Sequence, residues 1–133
     1  MIQDDYILSL IERIVQMMAR YLRGEVSDAA ELDAASQSLV GLPLALIERL
    51  DPASLERMLG EAPPAQRAGL GLLLISRGEA LVSAADPSGW EQIKKGHQLA
   101  LDAAAQLRVK PPSLLAAIAR AEALLTSGSP GDC

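Results

Sequence analysis

Proline-containing helix-start signals divide the second two-thirds of the sequence into short helical segments. Asp51-Pro52 and Asp86-Pro87 each place a side-chain acceptor before a proline, an arrangement typical of a helix N-terminus. Pro43, Pro63-Pro64 and Pro111-Pro112 mark three more starts. Because apolar residues recur at helical spacing after each signal, we predict helices over about 43–50, 52–60, 64–84, 87–107 and 112–126.

The first forty residues predict two further helices, over 4–24 and 28–40. The first contains an apolar arc of roughly 200°, about twice the stripe of an ordinary surface helix. Ser9, Glu12, Arg13 and Gln16 belong to its polar side. An arc this wide needs apolar partners on two sides. Its apolar candidates for an interface are Tyr6, Leu10, Ile14, Met17, Met18 and Tyr21.

Composition favours helices over strands throughout the chain. Alanine and leucine dominate, and aromatic residues make up only 2% of the sequence. The segment 64–84 is apolar around nearly its whole axis and has only Ser76, Glu79 and Ser83 as a polar strip, so we predict a central, buried helix. Its three glycines, at 69, 71 and 78, lower helix propensity, which predicts close approach of a neighbouring helix.

The predicted fold is therefore all-α, with six or seven helices stacked as successive antiparallel hairpins. The length of 133 residues is typical of one domain. We assign residues 1–127 to this helical domain. Residues 128–133 are small and polar and are predicted to form a flexible C-terminal tail.

Charge and cysteine content exclude several classes of protein. The formal net charge is −5, which disfavours binding to nucleic acids and to anionic membrane surfaces. The one cysteine, Cys133, cannot form an internal disulfide. No signal peptide is recognisable, and the apolar run LGLLLI is far shorter than the ~20 residues of a membrane span. The expected location is the cytoplasm.

The N-terminal sequence resembles a known group of bacterial proteins. Asp5 to Glu12 read D-Y-I-x-x-x-I-E. This motif resembles the start of a bacterial family of small helical proteins in which further helices and a G-L element follow, and the segment 41–59, GLPLALIERLDPASLERML, is similar in kind. The function of that family is uncharacterised, so the resemblance implies an all-helical fold and assigns no site residues.

A second resemblance concerns residues 70 to 107. Gly78, Gly96, Ala100 and Ala103 match the small-residue positions of one tetratricopeptide hairpin. The usual aromatic residues of that repeat are missing, and no second copy with a 34-residue period occurs. The resemblance implies tetratricopeptide-like stacking and a concave surface that binds proteins.

The predicted helix 87–107 contains the only histidine, His97. It lies on the inward face near Trp90, while Glu91, Lys95, Gln98 and Asp102 form the outward face. Because no second ligand or base lies at a suitable spacing, we interpret His97 as a hydrogen-bonded core or interface residue. Arg77, among the leucines of the central helix, is interpreted as one half of an ion pair or as reaching the surface.

Two functions remain open. The first is a non-enzymatic protein-interaction or scaffold module, in which the arc of 6–22 packs in a homodimer or within its own chain; we prefer the homodimer. The second is a small-ligand-binding protein or enzyme with one pocket lined by Arg77, His97 and Trp90. The sequence assigns no catalytic residue, no cofactor and no metal ligand. The expected partner is a protein or a second copy of the chain.

Overall fold

The computed structural model of this protein describes residues 9, 12–13, 16, 33–34, 36–37, 41–59, 62–108 and 112–128. Within these residues the chain is helical and has no β-strand, which confirms the predicted fold class. Five helices have their bounds in the described ranges: α1 Leu44–Glu48, α2 Pro52–Leu59, α3 Pro64–Ser83, α4 Ser88–Gln106 and α5 Pro112–Gly128. Helical residues also occur between 9 and 37, but those helices end outside the described residues, so the total of six or seven stays a prediction.

The predicted helix starts are confirmed by capping contacts. The amide of Ser54 donates to Asp51 Oδ2 at 3.3 Å, and its hydroxyl donates to Asp51 Oδ1 at 2.5 Å. Asp86 accepts from Ser88 in a similar way, with the Ser88 amide 3.0 Å and the Ser88 hydroxyl 2.7 Å from Asp86 Oδ1. The serine hydroxyls, and after them the backbone amides, lower the pKa of both carboxyls below the usual 3.8.

A left-handed residue ends α3. Ala85 has φ +65°, and its amide donates to Val82 O at 3.0 Å. The amide of Asp86 donates to Leu81 O at 2.8 Å. These two bonds form a Schellman motif, which satisfies carbonyls at the helix C-terminus and turns the chain sharply into α4.

Two glycine pairs hold α3 and α4 close together as an antiparallel hairpin. A Cβ added to Gly71 would lie 2.7 Å from Gly96 O, and one added to Gly96 would lie 2.5 Å from Gly71 O. Gly78 and Gly89 meet in the same way, since a Cβ on Gly78 would lie 2.6 Å from Gly89 O. Because the two paired glycines of each helix are seven residues apart, both pairs lie on one side of that helix. This confirms the predicted close approach at Gly71 and Gly78.

The middle of α3 is the centre of the core, as predicted. Five of its aliphatic side chains are completely buried: Leu70, Leu72, Leu73, Leu74 and Ile75. The predicted polar strip is wrong in part, because Ser76 and Glu79 are buried and only Ser83 is exposed. Arg120 on α5 donates from Nε to Glu79 Oε1 at 3.3 Å, so a partner from another helix permits this burial.

The polar side of the first predicted helix is exposed at the four residues that the structure describes. These are Ser9, Glu12, Arg13 and Gln16. The hydroxyl of Ser113, at the start of α5, donates to Glu12 Oε1 at 2.5 Å. The predicted interface residues lie outside the described residues: Tyr6, Leu10, Ile14, Met17, Met18 and Tyr21.

Two further features concern the ends of the chain and the membrane. Helix α5 ends at Gly128, and positions 129–133 of the predicted tail lie outside the described residues. No helix in the described ranges combines the length and the apolar character needed to cross a membrane.

Candidate binding groove

An open cavity of about 460 Å³ lies between α2, α4 and the beginning of α3. We call it the α2–α4 groove. Its volume falls within the roughly 300–1,000 Å³ of typical ligand pockets. The groove is lined by Pro52, Leu55, Glu56, Leu59, Arg67, Glu91, Lys94, Lys95, Gln98, Leu99, Asp102, Ala105 and Gln106.

Leucine side chains provide the apolar part of the groove. Leu55 and Leu59 come from one face of α2 and are each only 3% exposed. Leu99 on α4 is partly buried against the same core. Apart from the half-buried Ser54, helix α2 exposes its other residues, including Glu56, to solvent. The amphipathic pattern of α2 therefore directs two leucines inward, where they also border the cavity.

Lys95 closes one end of the groove by binding the C-terminus of α1. Its ammonium group donates to Ile47 O at 3.2 Å, to Glu48 O at 2.8 Å and to Leu50 O at 2.8 Å. All three protons of the ammonium thus have carbonyl acceptors at a helix C-terminus, where a cation is favourable. The predicted outward position of Lys95 is wrong, because the residue is only 6% exposed.

Burial and charge have opposing effects on Lys95. Desolvation lowers the pKa of its ammonium group below 10.5, and the charges of Glu48, Glu91 and Asp51 oppose this shift. Gln92, one turn before Lys95, also binds the C-terminus of α1, since its Nε2 donates to Glu48 O at 3.2 Å. Together Lys95 and Gln92 hold α1 against α4, and this fixes the start of α2.

Arg67, at the end of the first turn of α3, lies at the other end of the groove. Its Nη2 donates to Gln106 Oε1 at 2.7 Å. Its Nε is buried and has no hydrogen-bond acceptor. No carboxylate among the described residues forms an ion pair with this guanidinium. Arg67 is thus a half-buried cation whose one bonded partner is neutral.

The rim of the groove carries charges of both signs. Glu91 and Lys94 lie toward the Lys95 end, and Glu56 extends from α2. Asp102 accepts a hydrogen bond from Gln98 Nε2 at 3.0 Å. Each of these side chains is exposed. A ligand would therefore meet apolar contacts in the middle and charged groups along the edges.

Arg77 and Trp90, two of the three predicted pocket residues, contact other parts of the chain. Arg77 Nε donates to Glu48 Oε1 at 3.0 Å, so it forms an ion pair with α1. Its side chain is 30% exposed, in agreement with the interpretation as one half of an ion pair. Trp90 is partly buried against the core.

His97, the third predicted pocket residue, faces α5. Its Nε2 lies 3.8 Å from Glu122 Oε2 and has no hydrogen-bond partner, and its side chain is 15% exposed. The expectation of a hydrogen bond at His97 is therefore not met at Nε2. Because Arg77 contacts α1 and His97 contacts α5, the structure gives them different neighbours, and a shared pocket stays a prediction. None of Arg77, His97 and Trp90 lines the α2–α4 groove.

The groove residues were not predicted from the sequence as a binding site. One signal was available: Arg67 is a basic residue near a helix N-terminus, where acidic residues are favourable. Leu55 and Leu59 are spaced like ordinary core residues, and Lys94, Gln98 and Asp102 like an ordinary solvated face. No pattern in them indicates which helix lies opposite.

The described residues form no metal-binding group of three or more His, Cys, Asp or Glu side chains. Comparison of the chain with protein-family models, with curated proteins and with solved structures finds no match.

Proposed function

We propose that this protein is a non-enzymatic interaction module that binds a helical segment of a partner protein in the α2–α4 groove. The observation that carries the proposal is the open groove itself, with Leu55, Leu59 and Leu99 as its apolar contacts. Amphipathic helices bind such grooves through apolar residues at i, i+3 or i+4 and i+7. The charged rim would then contact the polar flanks of the bound helix.

The lining residues support binding more than catalysis. The described groove is lined by no histidine, cysteine or serine, so it offers no nucleophile with an adjacent imidazole base. Its lysine with a lowered pKa, Lys95, has its ammonium protons bonded to three backbone carbonyls. A group held in this way supports the fold rather than a reaction.

Tetratricopeptide-like stacking is a finer part of this proposal. The small residues that carry the resemblance lie at the α3–α4 contact: Gly78 faces Gly89, and Gly96 and Ala100 face Gly71. Ala103 is completely buried. These contacts support a tightly packed helical hairpin of the kind that such repeats use.

The groove is tested by blocking it. Ala105 is exposed and lines the groove, so Ala105→Trp fills it without replacing a core residue. Ala119 on α5 is exposed and lies outside the groove, which makes Ala119→Trp the matched control. A displayed library of amphipathic helical peptides is selected on the wild-type chain. We expect selected peptides to bind wild type and the control, and to lose at least about tenfold in affinity for Ala105→Trp. Equal binding to Ala105→Trp, or no selected peptide, contradicts the proposal.

Homodimerisation through the first helix is a separate proposal with its own measurement. It depends on the apolar arc at residues 6–22 and not on the groove. Native mass spectrometry of the full chain should give a dimer mass, and Ile14→Lys should convert it to a monomer. A monomer mass for the wild type would contradict the dimer and leave the groove proposal unaffected.

A further inference from the structure

We infer that Arg67 is the anion-binding anchor of the α2–α4 groove, and that the bound segment places an aspartate or glutamate carboxylate against it. This inference rests on the proposed function, since it names the chemistry of the same site. It commits the groove to a partner helix with apolar residues for the leucines and one acidic residue at the Arg67 end.

The first argument is the unsatisfied hydrogen-bonding capacity of Arg67. A guanidinium has five N–H donors, and the described contacts use one of them, to Gln106 Oε1. A half-buried arginine is ordinarily paired with a carboxylate, because desolvation of an unpaired cation is costly. Arg67 has no such partner among the described residues, whereas Arg77 and Arg120 each have one. Arg67 can therefore accept a carboxylate from a bound segment without breaking an ion pair among the described residues.

The second argument is the position of Arg67 beside the leucines. Leu59 and Ala105 border the cavity at the same end as Gln106, to which Arg67 is bonded. A partner residue that contacts these apolar groups brings the next turn of its helix beside the guanidinium. The planar guanidinium matches a carboxylate with two parallel hydrogen bonds, which a lysine in its place could not provide.

The acidic residues of the rim limit which positions of the bound helix can carry a negatively charged side chain. Glu56, Glu91 and Asp102 all line the groove and would repel a second carboxylate. Asp102 is bonded to Gln98, which is neutral, so its charge is not compensated by that contact. The partner's other charged positions should accordingly be neutral or basic.

The test uses two synthetic helical peptides that differ in one residue. Both carry leucines at i, i+4 and i+7, and one has glutamate on the following turn where the other has glutamine. Fluorescence anisotropy gives their Kd values for the full-length chain. We expect wild type to prefer the glutamate peptide by about tenfold, as for a charge-assisted pair. Arg67→Gln should abolish this preference.

Two controls separate this inference from the groove proposal. Arg57 lies on α2, is exposed and does not line the groove, so Arg57→Gln removes the same charge and should keep the preference. Ala105→Trp should weaken both peptides equally. An unchanged preference in Arg67→Gln overturns the role of Arg67 while leaving the groove intact. If wild type binds neither peptide, both proposals are overturned.

Discussion

Substitution of alanine for Gly71, in a glycine pair between α3 and α4, distinguishes two opposite expectations for the free energy of unfolding. In Gly71→Ala, helix propensity alone predicts stabilisation by about 1 kcal/mol. The structure predicts the reverse, because the new Cβ would lie 2.7 Å from Gly96 O, 2.8 Å from Ala100 N and 2.9 Å from Ala100 Cβ. Two of these atoms belong to the backbone of α4, so no flexible side chain can move away.

The magnitude follows from the displacement that the methyl group requires. Ordinary contacts of a Cβ begin at 3.4 Å, so α3 and α4 must separate by about 0.7 Å near Gly71. A gap of that size forfeits about a quarter to a half of the dispersion energy of each affected contact. Overpacking of this kind costs about 3 kcal/mol at the upper end of its usual range. After the propensity gain, the net loss is about 2 kcal/mol.

Urea denaturation followed by far-UV circular dichroism measures this loss. In a thermal melt of a domain of this size, the same loss of about 2 kcal/mol corresponds to a fall in Tm of about 8 °C. Ala119→Gly, on the exposed side of α5, measures the propensity term alone and should cost about 1 kcal/mol. The double variant Gly71→Ala, Gly96→Ala should lose less than the sum of its parts, because both methyl groups need the same separation. A more stable Gly71→Ala would refute the close approach of the helices.

Three other predictions concern single contacts. Ala85→Gly should raise the free energy of unfolding by about 0.5 kcal/mol, because glycine adopts the φ of +65° without strain; thermal denaturation would show a loss instead if the Schellman turn is absent. The pKa of Asp86 is lowered by Ser88, so its contribution is present above the unfolded value of 3.8 and lost as pH falls through the folded value. Asp86→Ala should therefore destabilise at pH 7 and converge with wild type in acid, whereas a pH-independent difference between the two urea midpoints would contradict this. Arg77→Ala and Glu48→Ala should show a coupling energy of about 1 kcal/mol in a double-mutant cycle, and strict additivity would exclude the ion pair.

The helix bounds could be predicted because their signals are local. Asp51 and Asp86 act on residues two or three positions ahead, and the prolines act on their immediate neighbours. The close approach at Gly71 was also predictable, since glycine inside a helix calls for a compensating contact. Such features need no knowledge of which helices lie opposite one another.

The positions of Lys95 and Arg67 could not be predicted in the same way. Glu91 and Lys95 have the i,i+4 spacing of an exposed pair, and only the arrival of the α1 C-terminus explains why Lys95 is buried. Arg67 lines a groove because residues of α2, α3 and α4 border one cavity, and these segments lie far apart in the sequence. Local patterns describe each helix correctly but leave open what covers it.

The surroundings of α4 support the proposed binding of a partner at the α2–α4 groove. One side of α4 meets α3 at the glycine pairs, a second holds α1 through Lys95, and a third contacts α5 near His97. Helix α2, which borders the same cavity as α4, has eight residues and is about 12 Å long, against about 28 Å for the nineteen residues of α4. Helix α2 is thus less than half as long as α4, and Leu99, Asp102 and Ala105 of α4 border the open cavity. A partner helix would continue the layer that α2 begins, and its acidic residue would supply the carboxylate that Arg67 lacks.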